Sequence, residues 1–211
     1  MNDEKQLSQE APKAPEKPKK TLGAILFDYV EMFAWSVFAV LLIFTFGFRL
    51  CQVDGRSMEN TLENSERLLL RSAWYTPQQD DIVVFHLTSP EKNLEKTLVK
   101  RVIATGGQKI EIDTNTGKIT VDGVEYADSH AVLKDAFTDA EIGHYQTSLF
   151  GYGLDRSTGI FSATVPEGYL FVMGDNRNNS KDSRNSDVGF VDERCVLGKV
   201  VLRISPFTVF K

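Results

Sequence analysis

Three segments of this chain hold residue types that can do covalent chemistry. The first is VDGRSMENTL, residues 53–62, where Ser57 follows Gly55 by two positions. A serine in a turn usually bonds its own backbone, so Ser57 alone is a weak signal. The second is TLVKRVIATGG, residues 97–107. On a strand, Leu98, Lys100 and Val102 share one face, and Val99, Arg101 and Ile103 share the other. A lysine in that setting ordinarily lays its stem on apolar surface and sends its ammonium to water. An unperturbed lysine, pKa near 10.4, is neutral only about one part in 2,500 at pH 7. Desolvation lowers that pKa by up to roughly 3–5 pH units. A buried neutral amine beside a hydroxyl is the Ser–Lys form of an activated nucleophile, and it needs no histidine. His86, His130 and His144 have no triad-like context.

The third segment, MGDNRNNSKDSRNSDVGFV, covers residues 173–191 and follows the apolar run YLFVM. Such a composition normally marks a solvated loop. Ordered beside an active site, it supplies Ser180 to orient an amine. It also supplies Asp182 or Asp175 to pair with Arg184 or Arg101. Asp175, Asp182 and Asp187 match no common calcium-loop spacing, so no metal is expected.

These residues need a scaffold, and the pattern is mostly β. Short β-branched runs bounded by turn residues predict strands at 67–71, 81–87, 97–105, 109–113, 118–121, 169–173 and 196–204. KIEIDTNTGKITVDG reads as a hairpin, with Ile110, Ile112, Ile119 and Val121 alternating with polar residues. Residues 128–160 break this pattern and are expected to be an insertion or excursion, with helical character in AVLKDAFTDAEIGHY. The expectation for residues 51–211 is one mainly β, all-β catalytic domain.

Ahead of it, residues 1–21 are polar and carry Pro12, Pro15 and Pro18, the composition of a disordered tail. Residues 32–48 then run 17 positions without a charge. As a helix this is about 26 Å, near the lower limit for a bilayer core, and flanking residues extend it to an anchor at 22–50. Asp28 and Glu31 belong at the interface, with Tyr29 and Trp35 in an aromatic belt. A surface helix would need a polar face, and a cleaved signal would need a small-residue site after the run. Lys13, Lys17, Lys19 and Lys20 outnumber Arg49, Arg56 and Arg67 around the span, favouring a cytoplasmic N-terminus and an extracytoplasmic domain.

The net charge of −5 gives no electrostatic case for nucleic acid. Cys51 and Cys195 are too few for a disulfide framework or zinc site. Two separate thiols are expected; a single bridge in an oxidising compartment is the alternative.

Taken together, the segments resemble the bacterial type I signal peptidase family, in its shorter, Gram-positive-like branch. The resemblance covers the span and residues 51–205. It rests on Gly55-Arg56-Ser57-Met58 with Thr61-Leu62, on Lys100-Arg101-Val102-Ile103, and on Gly174-Asp175-Asn176-Arg177, Asn179-Ser180 and Asp182-Ser183-Arg184. It implies a single transmembrane helix followed by an extracytoplasmic signal-peptidase-like β domain, with Ser57 as nucleophile and Lys100 as general base. Ser180 would orient the amine. Asp182 with Arg184, and Asp175 with Arg101, would hold the polar loop. The oxyanion would take the Ser57 N–H and a second backbone N–H near Gly55, where some relatives carry a serine hydroxyl. Losing one such donor costs a hydrolase about 3–4 kcal/mol. The implied substrates are exported preproteins with small residues at −1 and −3, bound by strand pairing against walls from Val53, Met58, Leu62 and Val99. The bilayer is the other implied partner, and no cofactor is needed.

Asn60 departs from the family pattern, which has proline there, and residues 128–160 match no part of it. Two rivals fit less well. A non-catalytic relative on this fold would be expected to lose the serine or lysine. A self-cleaving repressor-type protease would need no membrane span.

Overall fold

The computed structural model describes residues 21–73, 75–89, 94–131, 153–155 and 157–210. The chain divides into two units, Met1–Leu41 and Leu42–Lys211. Helix α1, Leu22–Gly47, begins where Thr21 Oγ1 accepts the Ala24 N–H at 3.4 Å. Its 26 residues give about 39 Å, enough to cross a hydrocarbon core. The helix is long and apolar enough for that role, and its most apolar window buries nothing in the protein.

The anchor boundary differs from the expected residue 50. The helix stops at Gly47, and strand β1, Phe48–Gln52, follows at once. Its residues are claimed by backbone pairing: Phe48–Gln52 runs antiparallel to β2, Arg67–Arg71, from Phe48↔Arg71 to Gln52↔Arg67. β2 shows why alternation makes a strand here, since Leu68 and Leu70 are buried while Arg67 and Arg71 are exposed.

The described strands form two antiparallel sheets. The larger uses β1, β2, β3 (Ile82–Ser89), β4 (Leu94–Thr105), β10 (Tyr169–Met173), β11 (Val191–Asp192), β12 (Val196–Arg203) and β13 (Thr208–Val209). Its order is β1-β2-β12-β3-β4-β10-β11, with β13 beside β12. The smaller has the order β7-β6-β5-β9-β8. It comprises β5 (Lys109–Asp113), β6 (Ile119–Val121), β7 (Val124–Glu125), β8 (Leu154–Asp155) and β9 (Ile160–Thr164). The expected hairpin is β5–β6, with Ile110↔Val121 and Ile112↔Ile119. Asp113 ties its turn by accepting from the Asn115 N–H and the Thr116 hydroxyl.

All seven expected strands form. β3 runs two residues beyond the expected end, and β4 starts three residues early, because the two pair continuously from Ile82↔Arg101 to Ser89↔Leu94. The two-residue strands β7, β8, β11 and β13 are too short to leave a periodic signal. β9 falls at the end of the expected excursion, and its Phe161 is buried in the core of the smaller sheet. The remainder of that segment, 132–152 and 156, and the expected tail at 1–20 lie outside the described residues. Both cysteines are free thiols, Cys51 half-buried and Cys195 exposed.

Three apolar clusters fill the β unit. One, around Val53, Met58, Leu62, Leu68, Leu70, Ile82 and Val84, packs beneath the Ser57 segment.

Candidate active site

Ser57 lies in the connection between β1 and β2. The base of that loop is closed by the Val53 N–H to the Glu66 carbonyl and the Ser65 N–H to the Val53 carbonyl. Gly55 takes φ +102°, which a side chain would strain, and its N–H donates to Asn64 Oδ1 at 2.9 Å. A single helix-like turn follows, with the N–H groups of Thr61 and Leu62 both donating to the Met58 carbonyl. Met58 and Leu62 are fully buried and fasten this turn to the apolar cluster below, while Ser57 stays partly accessible. Asn60, in place of proline, has φ +76°, which proline cannot adopt.

Strand β4 brings Lys100 to this turn. Strand alternation holds for its apolar neighbours: Leu98 and Val102 pack with Val83 and Phe85, Val99 with Val53 and Met58. Lys100 is 2% exposed, and its Nζ lies 2.7 Å from Ser57 Oγ. Burial pushes its pKa down to about 8; the Asp182 and Asp175 carboxylates resist this and the Arg184 guanidinium adds to it. At pH 7 about one such amine in eleven is neutral. A neutral amine at hydrogen-bond distance from a hydroxyl can accept its proton.

The loop after β10 braces both residues. Arg101 forks the Asp175 carboxylate at 2.8 and 2.7 Å, and Thr61 donates to the same group at 2.6 Å. Arg184 forks Asp182, with both contacts at 2.8 Å. Burial raises the Asp182 pKa, but Arg184 and the Gly174 N–H more than offset it, so the carboxyl is held below its ordinary range. The remaining aspartate of the segment, Asp187, pairs with Lys181 at 2.6 Å. Gly174 is a point of close approach: a Cβ there would lie 2.4 Å from the Ser57 carbonyl oxygen. That oxygen accepts the Asn176 N–H at 3.0 Å.

Two expectations, for Ser180 and Leu62, differ from this geometry. Ser180 makes no hydrogen bond to Lys100. The second acceptor of the amine is the Val99 carbonyl, 2.9 Å away, a group that the strand already fixes in place. Ser180 Oγ is instead buried against Gly174, on the side of the Asp182 carboxyl whose pKa it helps hold down. Leu62 is not among the residues lining the open cleft beside Ser57; its side chain packs in the cluster underneath. Gly55 cannot lend its own N–H to an oxyanion while Asn64 holds it; the Ser57 N–H has no acceptor among the described residues. Val53, Met58 and Val99 do line that cleft, a space of about 470 Å³ that also contains Ser57 and Lys100. Lys96 and Asp54 add charge at its rim.

Other contributors carried no separable sequence signal. Arg177 sits inside the polar motif, yet nothing there reveals that it would be 2% exposed and paired with Asp128. Asn64 and Asn176 look like ordinary turn residues.

Comparison with known proteins places the chain in a family. Residues 26–205 match the family described as signal peptidase, peptidase S26. A signal peptidase I of Bacillus licheniformis is 33% identical over 186 residues, covering 86% of this chain and 90% of the relative. Signal peptidase I U of Bacillus subtilis is 32% identical over 194 residues, covering 90% and 92%. The crystal structure of a signal peptidase I from Enterococcus faecalis aligns at 28% identity with a TM-score of 0.40, over 60% of this chain and 97% of that one. With a family match across most of its length and relatives this similar, the chain belongs to the bacterial type I signal peptidases, the hydrolases of peptidase family S26.

Proposed function

We propose that this chain is a membrane-bound serine endopeptidase that removes N-terminal signal peptides from exported preproteins with a Ser57–Lys100 dyad. The observation that carries the reading is the buried Lys100 amine 2.7 Å from Ser57 Oγ. In the proposed reaction the neutral amine takes the Ser57 proton as Oγ attacks the scissile carbonyl. The resulting ammonium then protonates the leaving amine, the new N-terminus of the mature protein. A water deprotonated by the same amine hydrolyses the acyl-enzyme and releases the signal peptide. The Ser57 N–H is the oxyanion donor in this scheme.

The cleft walls from Val53, Met58 and Val99 are apolar and close to Ser57, which favours small side chains at −1 and −3. Helix α1 would hold the enzyme on the bilayer that also carries its substrates, raising their local concentration. The lysines before α1 support a cytoplasmic N-terminus and an extracytoplasmic β unit.

The test is preprotein cleavage by the full-length enzyme in lipid vesicles, with Ser57→Ala and Lys100→Met variants. Both are expected to lose at least about a thousandfold in kcat. Wild-type rates from both variants would rule the dyad out.

A further inference from the structure

Two residues just beyond β7 reach from the smaller sheet into the bracing of the dyad. The Tyr126 hydroxyl donates to Asp80 Oδ1. The Asp80 carbonyl accepts from Arg101 Nη1 at 2.9 Å, and Arg101 is the β4 neighbour of Lys100 that forks Asp175. Two positions later, Asp128 forks the Arg177 guanidinium, with the Nη2 contact at 2.8 Å. Arg177 Nε donates to the Gly174 carbonyl at 3.0 Å, and the Arg177 carbonyl accepts from Arg184 at 2.9 Å. Gly174 lies against the Ser57 backbone, where an added Cβ would stand 2.4 Å from the Ser57 carbonyl oxygen. One line of contacts therefore ends beside Lys100 and the other beside Ser57. Neither Tyr126 nor Asp128 is part of the cleft lining.

We infer that residues 126–128 form a strap by which the smaller sheet positions the dyad, with Tyr126 acting through Asp80 and Arg101, and Asp128 through Arg177 and Gly174. Both are positioning residues, since neither touches the reacting atoms. The inference rests on the Ser57–Lys100 reading above. Tyr126 and Arg177 are almost fully buried and Asp128 is largely so, so each contact acts with little competition from water. A misplacement of about 1 Å at a reacting pair costs roughly a hundredfold in rate, so modest slack in the strap is enough to be measured.

The experiment uses the full-length enzyme in vesicles and follows kcat, KM and Tm on a preprotein. Tyr126→Phe removes only the hydroxyl and is expected to lower kcat about fivefold with KM unchanged; Asp128→Asn is expected to lower it about tenfold or more. Asp128→Glu, which keeps the carboxylate, is expected to recover part of that loss. Because Asp128→Asn removes a carboxylate paired with the buried Arg177 guanidinium, instability alone could lower its rate. The double variant Asp128→Leu with Arg177→Met separates the two roles. The strap predicts that Tm returns while kcat stays low, because no group then holds the Gly174 carbonyl. Recovery of kcat together with Tm, or a wild-type kcat in the single variants, overturns the inference. Ser57→Ala is assayed alongside. If it still cleaves, the dyad reading fails; if it is inactive while the strap variants match wild type, only the strap fails.

Discussion

Replacing Gly174 by alanine puts one methyl group where the polar loop meets the backbone of the nucleophile. The added Cβ would lie 2.2 Å from Ser180 Oγ and 2.4 Å from the Ser57 carbonyl oxygen. The Ser180 Cβ would lie 2.6 Å away, and only the serine hydroxyl can turn aside. The carbonyl cannot do so freely, because it accepts the Asn176 N–H at 3.0 Å. Real Cβ contacts lie beyond 3.0 Å, so Ser57 or the loop must retreat by at least about 0.6 Å. Ser57 Oγ stands 2.7 Å from Lys100 Nζ, and a retreat of that size stretches the pair past normal hydrogen-bond length. The expected result is a kcat lower by roughly 10- to 100-fold with KM little changed. The assay is steady-state cleavage of a preprotein, with Tm recorded for each variant. Adding Ser180→Ala removes only the hydroxyl contact; the residue-180 Cβ at 2.6 Å and the carbonyl at 2.4 Å still clash, so the double variant is expected to remain slow. A Gly174→Ala enzyme within twofold of wild-type kcat, or full rescue by Ser180→Ala, would refute the reasoning.

Asn60 at φ +76° predicts that Asn60→Pro, the residue of the family pattern, destabilises this chain by about 1–3 kcal/mol, whereas Asn60→Gly is nearly neutral. Thermal unfolding of the two variants decides it, and a higher Tm for the proline variant would contradict the turn geometry. Lys100 carries a stability cost as well. Its folded pKa lies below its unfolded value, so the unfolded chain holds the proton more tightly. The folded state therefore loses stability as pH falls from the unfolded pKa to about 8, and the loss is complete below that. Lys100→Met removes this cost and is expected to gain about 3 kcal/mol at pH 7, with the gain shrinking above pH 8. Chemical denaturation at pH 6.5 and pH 9.5 checks both the sign and the window.

Much of the scaffold was legible because burial leaves a period-two pattern. RLLLR and KIEID alternate as strands with one wet face, and both form with the expected limits. The end of α1 was not legible, since Phe48 and Leu50 continue the apolar run and only pairing with β2 assigns them to a sheet. In the site, charge alone left open which of Asp175 and Asp182 pairs with Arg101 and which with Arg184; the family resemblance implied the two forks that form. The placement of Ser180 was not legible, because it depends on a contact with Gly174 that no local pattern encodes. Leu62 was misread for a related reason: an apolar residue five positions from the nucleophile can face the cleft or the core, and tertiary packing chose the core. The Tyr126–Asp80 and Asp128–Arg177 links join residues 46 and 49 positions apart, a separation that spacing arguments do not reach.

The central claim is that Lys100 works as a neutral base on Ser57, and the pH dependence of preprotein cleavage tests it most directly. With full-length enzyme between pH 6 and 10, kcat/KM is expected to rise about tenfold per pH unit and level off with a midpoint near 8. A rise that continues to about pH 10, where an unburied lysine titrates, or a flat profile, would contradict the account.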